Sequence, residues 1–415
     1  MSQSKGRKLA LAVGRACAGV RSGLKDRMRG EMRWISLLQA SLAVLLLGSD
    51  ASLAHHDDIP DPPPQSASEP LPADLQIDPA SVTVSGLSSG GFFAHQFHVA
   101  FSSTVGGAAI LAGGPYGCVE VIDNPFWPFW KLDPASAALV ACTHYLGSRF
   151  WGLRPDPPLA EDAWELIDAA QRSGDIDDPA QLADDRVWLF RGELDEVVPA
   201  AVTESLADLY RGLGVDDDAL ATGPVDPQRP ANHGLPVESF TGESRHARRD
   251  CADHALPFVI ECGYDAAELL LRHLYSEGFL PEPVDPHGAG SLHAFDQTEF
   301  FRPSQTAGLS GVGYIYIPDA CRTGDCRLHV AFHGCRQNAD AQGNERVHDD
   351  FVRDAGYNRW AGANRIIVLY PQATEATGNP RACWDFWGYS GDGWRTREGV
   401  QMRATASMIE RLLGR

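Results

Sequence analysis

The run Ser81-Val82-Thr83-Val84-Ser85-Gly86-Leu87-Ser88-Ser89-Gly90-Gly91 constrains this chain more than any other stretch. Its alternating first half predicts a short strand at 81–85, and the apolar residues from Gly91 to Phe101 predict a helix directly behind the Gly-x-Ser-x-Gly box. A strand that turns into a helix within so few residues folds the backbone against itself. The flanking positions must then be small, and the central serine is lifted out of the sheet on a strained turn. This makes Ser88 the candidate nucleophile. Ser89, one place past the centre, is the rival hydroxyl, but its N–H at the helix N-terminus suits it better to holding a developing oxyanion. A glycine-rich turn with an incidental serine is the alternative, and the strand–box–helix context argues against it.

A serine hydroxyl needs a base, and the base needs an acid to orient it. The predicted strand Arg186–Arg191 leads into Gly192-Glu193-Leu194-Asp195-Glu196-Val197-Val198-Pro199. That acid-bearing loop lies past a strand end, on the rim where the elbow of an α/β sheet sits. Asp195 is the candidate acid, and Glu193 and Glu196 read as solvated loop charges. Of 14 histidines, His233 stands in Pro230-Ala231-Asn232-His233-Gly234-Leu235-Pro236, a turn-rich loop that follows the acid. It is the candidate base, in the chain order Ser, Asp, His.

Further strands are predicted at Ala108–Leu111, Gly313–Ile317, Leu328–Phe332 and Ile366–Tyr370, with helices at Val202–Gly212, Asp265–Tyr275, Asp349–Asn364 and Gly399–Leu413. Such alternation predicts an α/β fold, a mostly parallel central sheet with helices on both faces. The acidic, Gly/Pro-rich stretch 215–229 reads as a surface excursion. Leu328-His329-Val330-Ala331-Phe332-His333-Gly334-Cys335 is an apolar strand ending in His-Gly, the form in which many α/β-hydrolases carry their second oxyanion donor. That element ordinarily precedes the nucleophile; here it follows all three candidate residues. Circular permutation of the α/β-hydrolase fold accounts for this, with Ser89 and Cys335 as the two N–H donors. His333 reads as a structural strand-end histidine.

Arg29, Arg33 and their neighbours precede the apolar run Ile35–Leu47, which ends at Ala51-Ser52-Leu53-Ala54. Residues 1–54 are therefore read as a signal peptide with an extended basic leader, in which Met28 and Met32 are alternative starts. The run is too short for a membrane anchor. The Pro-rich, acidic residues 55–76 are expected to be disordered and 77–415 to form a single catalytic domain. Of 35 Lys/Arg and 55 Asp/Glu, nine and three fall within 1–54, leaving 26 basic against 52 acidic residues. So acidic a surface disfavours nucleic acid and anionic membrane as partners. Outside the leader stand eight cysteines, and an even number in an exported chain suggests disulfides. Sequential pairing is the simplest connectivity: Cys118 with Cys142, Cys251 with Cys262, Cys321 with Cys326, and Cys335 with Cys383. No C-x-x-C spacing occurs, so neither a metal site nor a cofactor is expected.

Taken together, SVTVSGLSSGGFF, AGGPYGC, LHVAFHGCRQ, IIVLYPQA and CWDFWG resemble the extracellular poly(3-hydroxybutyrate) depolymerases of the single-domain, circularly permuted kind, over about residues 77–415. The resemblance implies a secreted esterase, reaching the medium or the periplasm, that cleaves a polyester polymer or its oligomers as a monomer. It matches Ser88, Asp195 and His233 to the family's triad, Ser89 and Cys335 to its oxyanion hole, and the eight cysteines to its pairing pattern. Trp384, with Phe386 and Trp387, falls in a stretch implied to bind polymer. The segment 119–141, with Phe126, Trp127, Phe129 and Trp130, looks longer than usual and reads either as an aromatic flap or as a hydrophobic satellite cluster. A feruloyl or acetyl-xylan type esterase and a noncatalytic polymer-binding protein are the alternative readings.

Overall fold

The computed structural model describes residues 69–73, 75–120, 138, 142–143, 158–224, 226–240, 249–276, 278–279, 289–304, 306–340, 347 and 349–415. The expected signal peptide, most of the proline-rich stretch and the four aromatic residues at 126–130 lie outside them. In chain order the regular elements are β1 (Ile77–Leu87), α1 (Ser89–Ala100), β2 (Gly107–Leu111), α2 (Ala160–Ser173), β3 (Arg186–Phe190), α3 (Ala200–Gly212), β4 (Leu220–Thr222), β5 (Leu235–Val237), β6 (Val259–Glu261), α4 (Ala266–Tyr275), β7 (Gly290–Asp296), β8 (Val312–Pro318), β9 (Cys326–Phe332), α5 (Asp350–Asp354), α6 (Tyr357–Asn364), β10 (Ile366–Tyr370) and α7 (Val400–Leu412).

Eight strands form one sheet in the order β4-β3-β2-β1-β9-β10-β8-β7, while β5 and β6 pair separately. From β4 to β10 every neighbour is parallel; β8 and β7 join antiparallel at the far edge. Counted from β7, the order across the sheet becomes first, second, fourth, third, then fifth to eighth. The late strand β9 pairs with the early strand β1 in mid-sheet, Val84 opposite Val330. Elements that would open an unpermuted chain thus close this one, without altering the sheet.

Because side chains alternate across a strand, each central strand feeds two cores. Ala109, Leu111, Trp188, Phe190, Ile366 and Val368 join one cluster with Leu270 and Leu271 of α4 and Trp360 of α6. Ala108, Ile110, Val187, Leu189, Ile367 and Leu369 join the other, with Phe93 and Phe97 of α1, Leu206 of α3 and Met408 of α7. Both faces are therefore covered, which is why these strands read as continuous apolar runs.

All eight cysteines outside the leader are paired, and the pairing is the sequential one. Cys118 bonds to Cys142, Cys251 to Cys262, Cys321 to Cys326 and Cys335 to Cys383. Each bridge has a distinct place in the fold. Cys321–Cys326 closes the turn that leads into β9, and Cys251–Cys262 ties the segment behind the His233 loop to the end of β6. Cys118–Cys142 spans the segment 119–141 and joins the larger apolar cluster, where Cys118 and Cys142 are both buried.

Three expectations need correction. Ordering begins before Ile77: Leu71 is only 1% exposed, and the carbonyl of Glu69 accepts the Asp296 N–H at 2.9 Å. Leu71 anchors the segment in the apolar cluster, and Leu75 packs against the same cluster. The stretch 215–229 contains β4, whose backbone completes the sheet edge beside β3. The helix expected at 349–364 is two, α5 and α6, separated at Gly356, whose φ of +81° suits a residue without a Cβ.

Candidate active site

Ser88 caps α1 with φ 56° and ψ −119°, a left-handed conformation that costs a non-glycine residue about 1–2 kcal/mol. The surroundings enforce it. Its N–H donates to the Leu111 carbonyl at 2.8 Å, and its carbonyl accepts the Phe92 N–H at 2.9 Å. A Cβ on Gly86 would lie 2.1 Å from the Gly90 oxygen, and one on Gly90 would lie 2.4 Å from the carbonyl oxygens of both Phe332 and His333. The two glycines let β1, α1 and β9 close around the serine, which is itself half-exposed between buried neighbours.

Beyond the carboxyl end of β3, Asp195 is 3% exposed and bonded on both oxygens. Oδ1 accepts the N–H groups of Val197 and Val198 at 2.7 and 3.0 Å, and Oδ2 faces His233 Nδ1 at 2.8 Å. Burial by itself would raise the carboxyl pKa; the His233 ring and the two backbone bonds outweigh it and hold the group below the usual carboxylate value. A proton on Nδ1, donated to Asp195, leaves Nε2 as the lone-pair nitrogen. Glu193 is not a solvated charge: it accepts the Ala231 N–H at 3.0 Å, tying the acid loop to the base loop. Gly192 makes the same junction, since a Cβ there would lie 2.4 Å from the Ala231 and Asn232 carbonyl oxygens. Glu196 is exposed, as expected. Asp195 and His233 are in contact, and Ser88 sits on the same rim of the sheet, at the end of β1.

On the other side of Ser88 runs the end of β9. A Cβ on Gly334 would lie 3.5 Å from Ser88 Cβ. Gln337, which the sequence does not single out, shapes this loop by accepting the Gly334 N–H at 2.6 Å and donating to the Pro257 carbonyl at 2.7 Å. Its only sequence signal is its place three residues past the His-Gly pair. The N–H groups of Ser89 and Cys335 are used by none of the hydrogen bonds among the described residues. The Cys335–Cys383 disulfide ties this loop to the aromatic stretch. His333 is a scaffold residue: Nδ1 meets the Gly334 carbonyl at 2.7 Å, Nε2 accepts the Ala373 N–H at 3.1 Å, and burial lowers its pKa to about 4.

The aromatic stretch differs from expectation. Trp384 is 0% exposed and packs on Phe93 and Phe332 at centroid distances of 4.7 and 5.0 Å. It therefore belongs to the core beneath the elbow and offers no face to a substrate; its backbone N–H donates to Ser89 Oγ at 3.3 Å. Phe386 stacks on Phe92 at 4.5 Å, and Trp387 meets Phe386 edge-on at 4.9 Å, leaving only 9% of Trp387 exposed. The buried Asp385 holds the turn, accepting from the N–H groups of Trp387, Gly388, Tyr389 and Ser390 and from the Ser390 hydroxyl. Burial raises its pKa despite those bonds.

Among the described residues no group of three or more His, Cys, Asp and Glu side chains is arranged to hold a metal ion. Sheet order and elbow together make this a circularly permuted α/β-hydrolase fold. By sequence and by structure the chain is a homologue of the poly(3-hydroxybutyrate) depolymerases. It is 33% identical over 355 residues to a poly(3-hydroxybutyrate) depolymerase of Delftia acidovorans, covering 82% of this chain but only 61% of that longer protein. It is 29% identical over 363 residues to a polyhydroxybutyrate depolymerase of Talaromyces funiculosus, covering 84% and 94%. Two solved structures superpose with TM-scores of 0.65 and 0.64 at 26% identity, each covering 83% of this chain and 98% of its own. They are a serine-to-alanine variant of a PHB depolymerase complexed with an R3HB trimer and the PHB depolymerase from Penicillium funiculosum. No family model matches the sequence.

Proposed function

We propose that the chain is a serine esterase that hydrolyses poly(3-hydroxybutyrate)-type polyester, or its oligomers, through an acyl-enzyme. Ser88 Oγ attacks an ester carbonyl as His233 Nε2 takes its proton, and the N–H groups of Ser89 and Cys335 hold the oxyanion. His233 returns the proton to the departing alcohol, and water then releases the acid by the same route. Asp195 orients the ring and balances the imidazolium. One observation carries this reading: a buried Asp195–His233 pair at 2.8 Å shares the carboxyl rim of the sheet with a half-exposed serine held at φ 56°. The substrate class rests on the homologues, one of which is complexed with an R3HB trimer.

The decisive experiment incubates the wild type and Ser88→Ala with the 3-hydroxybutyrate trimer and follows acid release. Release by the wild type, lost in the folded variant, supports the reading; equal release by both overturns it. Export as a monomer belongs to the same proposal. Four disulfides suit an oxidising compartment, and no helix among the described residues is long and apolar enough to cross a membrane.

A further inference from the structure

The two N–H groups assigned to the oxyanion come from elements far apart in the chain, Ser89 at the start of α1 and Cys335 just beyond β9. The close approach of Gly90 to the Phe332 and His333 carbonyls brings the two elements together but stops short of Cys335. A third segment, 379–384, reaches both. Cys383 is bridged to Cys335, and the N–H of Trp384 donates to Ser89 Oγ at 3.3 Å. Two adjacent residues thus hold the two donor residues, one through a covalent bond and the other through a hydroxyl that is 1% exposed.

One side chain holds this segment in turn. Asn379, fully buried, accepts the Cys383 N–H on Oδ1 at 3.0 Å and donates Nδ2 to the Cys383 carbonyl at 2.8 Å. A single amide thus brackets both backbone groups of Cys383, as a neighbouring strand would. The Tyr389 hydroxyl, itself bonded to Gln401, donates to the same carbonyl at 2.7 Å. Alongside, the Arg336 N–H donates to the Arg381 carbonyl at 2.8 Å. Arg336 and Ala382 have φ of 65° and 49°, a region that residues with a Cβ seldom occupy. Such firm holding serves no bond-making step, but an oxyanion hole works only when its dipoles are already aimed as charge develops. Building on the esterase reading above, we propose that Asn379 and the Ser89 hydroxyl are positioning residues. They clamp the Cys383–Trp384 peptide and through it set the separation of the Ser89 and Cys335 N–H groups.

The test compares the wild type with Ser89→Ala, Asn379→Ala and the double variant on p-nitrophenyl butyrate and on the 3-hydroxybutyrate trimer. Affinity for butyl trifluoromethyl ketone is measured alongside, because a serine that adds to its carbonyl carbon leaves an oxyanion where the ester's would stand. Ser89→Ala keeps the backbone N–H and loses only the tether. Its kcat should fall about tenfold, less than the roughly 10²–10³-fold cost of losing a donor outright, with KM within about twofold. Ketone affinity should fall in parallel with kcat/KM. Asn379→Ala should behave alike, and the double variant should lose less than the product of the single losses, because both residues act on one peptide. If Asn379→Ala does not fold, Ser89→Ala alone decides. An unchanged kcat, a rise in KM at unchanged ketone affinity, or losses that multiply overturn the clamp and leave the esterase reading intact. A fall in Ser89→Ala as deep as that in Ser88→Ala makes Ser89 a nucleophile and also overturns it. If the wild type cleaves neither ester, the esterase reading fails and the ketone decides the clamp: weaker binding to Ser89→Ala supports it, and equal or absent binding refutes it.

Discussion

Strand β3 is flanked by an aspartate at each end, and each aspartate holds a buried histidine. Before the strand, Asp185 Oδ2 meets His98 Nε2 at 3.0 Å; beyond it, Asp195 Oδ2 meets His233 Nδ1 at 2.8 Å. The distances hardly differ, but the remaining ring nitrogen does. His98 spends Nδ1 on the Tyr210 hydroxyl at 3.0 Å, whereas of the two His233 ring nitrogens only Nδ1 is hydrogen-bonded among the described residues. His329 resembles His98, with both nitrogens bonded to Thr83 and Ser85 and its pKa lowered by burial to about 3. A carboxylate partner therefore does not by itself make a base. A base also needs an uncommitted nitrogen on the carboxyl rim, where the loops can bring a substrate.

The strongest way to break this comparison is to remove each histidine in turn. His233→Ala should lower kcat/KM on the 3-hydroxybutyrate trimer by about 10⁴-fold or more, and, by leaving the buried Asp195 without its ring partner, should also lower the unfolding midpoint. His98→Ala should differ in turnover, keeping kcat/KM within about threefold while destabilising the fold by about 2–4 kcal/mol in urea, because Asp185 and Tyr210 lose a buried partner. If His98→Ala abolished turnover at unchanged stability, the contrast would collapse. Asp195→Asn should cost about 10⁴ in kcat, since an amide favours the wrong ring tautomer, whereas Asp185→Asn should leave kcat unaltered.

Acid should separate the two ends by a smaller margin. The Asp195 pKa is lower in the fold than in the unfolded chain, where it is about 3.9. Its stabilising contribution is therefore complete above that unfolded value and is lost as pH falls through the lower folded value. Urea midpoints measured from pH 6 to pH 3 should fall less steeply for Asp195→Asn than for the wild type; parallel curves would refute the assignment. The smallest effect belongs to the loop junction. Glu193→Gln keeps an oxygen for the Ala231 N–H and should change kcat by less than about threefold, while Glu193→Ala, which leaves that N–H unpaired, should cost about 1–2 kcal/mol.

Much of this arrangement was legible in the residues. Continuous apolar runs such as Ile366–Tyr370 identified the inner strands because both faces of the sheet are covered. The cysteine pairing was legible too, because each cysteine bonds to the next one along the chain. The edges were not legible: β7 mixes polar and apolar residues and β4 is only three residues long, and both exist because β8 and β3 present backbone groups for them to pair with. Trp384 shows the same limit within the site. Its motif marks it as important, but nothing local distinguishes a tryptophan facing substrate from one packed on Phe93 and Phe332. Gln337 escaped notice, and Glu193 was read as a solvated charge, because their roles are hydrogen bonds to backbone groups of distant loops.

By itself the sequence determined the elbow, since only glycines tolerate contacts as close as those at Gly86 and Gly90, and that requirement is written in five consecutive residues. It also determined the alternation of strands and helices, and with the position of the His-Gly strand, the permutation. Tertiary structure alone decided which histidine keeps a nitrogen uncommitted, which tryptophan is buried and which asparagine brackets Cys383. Those outcomes depend on side chains far apart in the chain meeting across the sheet, and no local pattern encodes which of them will meet.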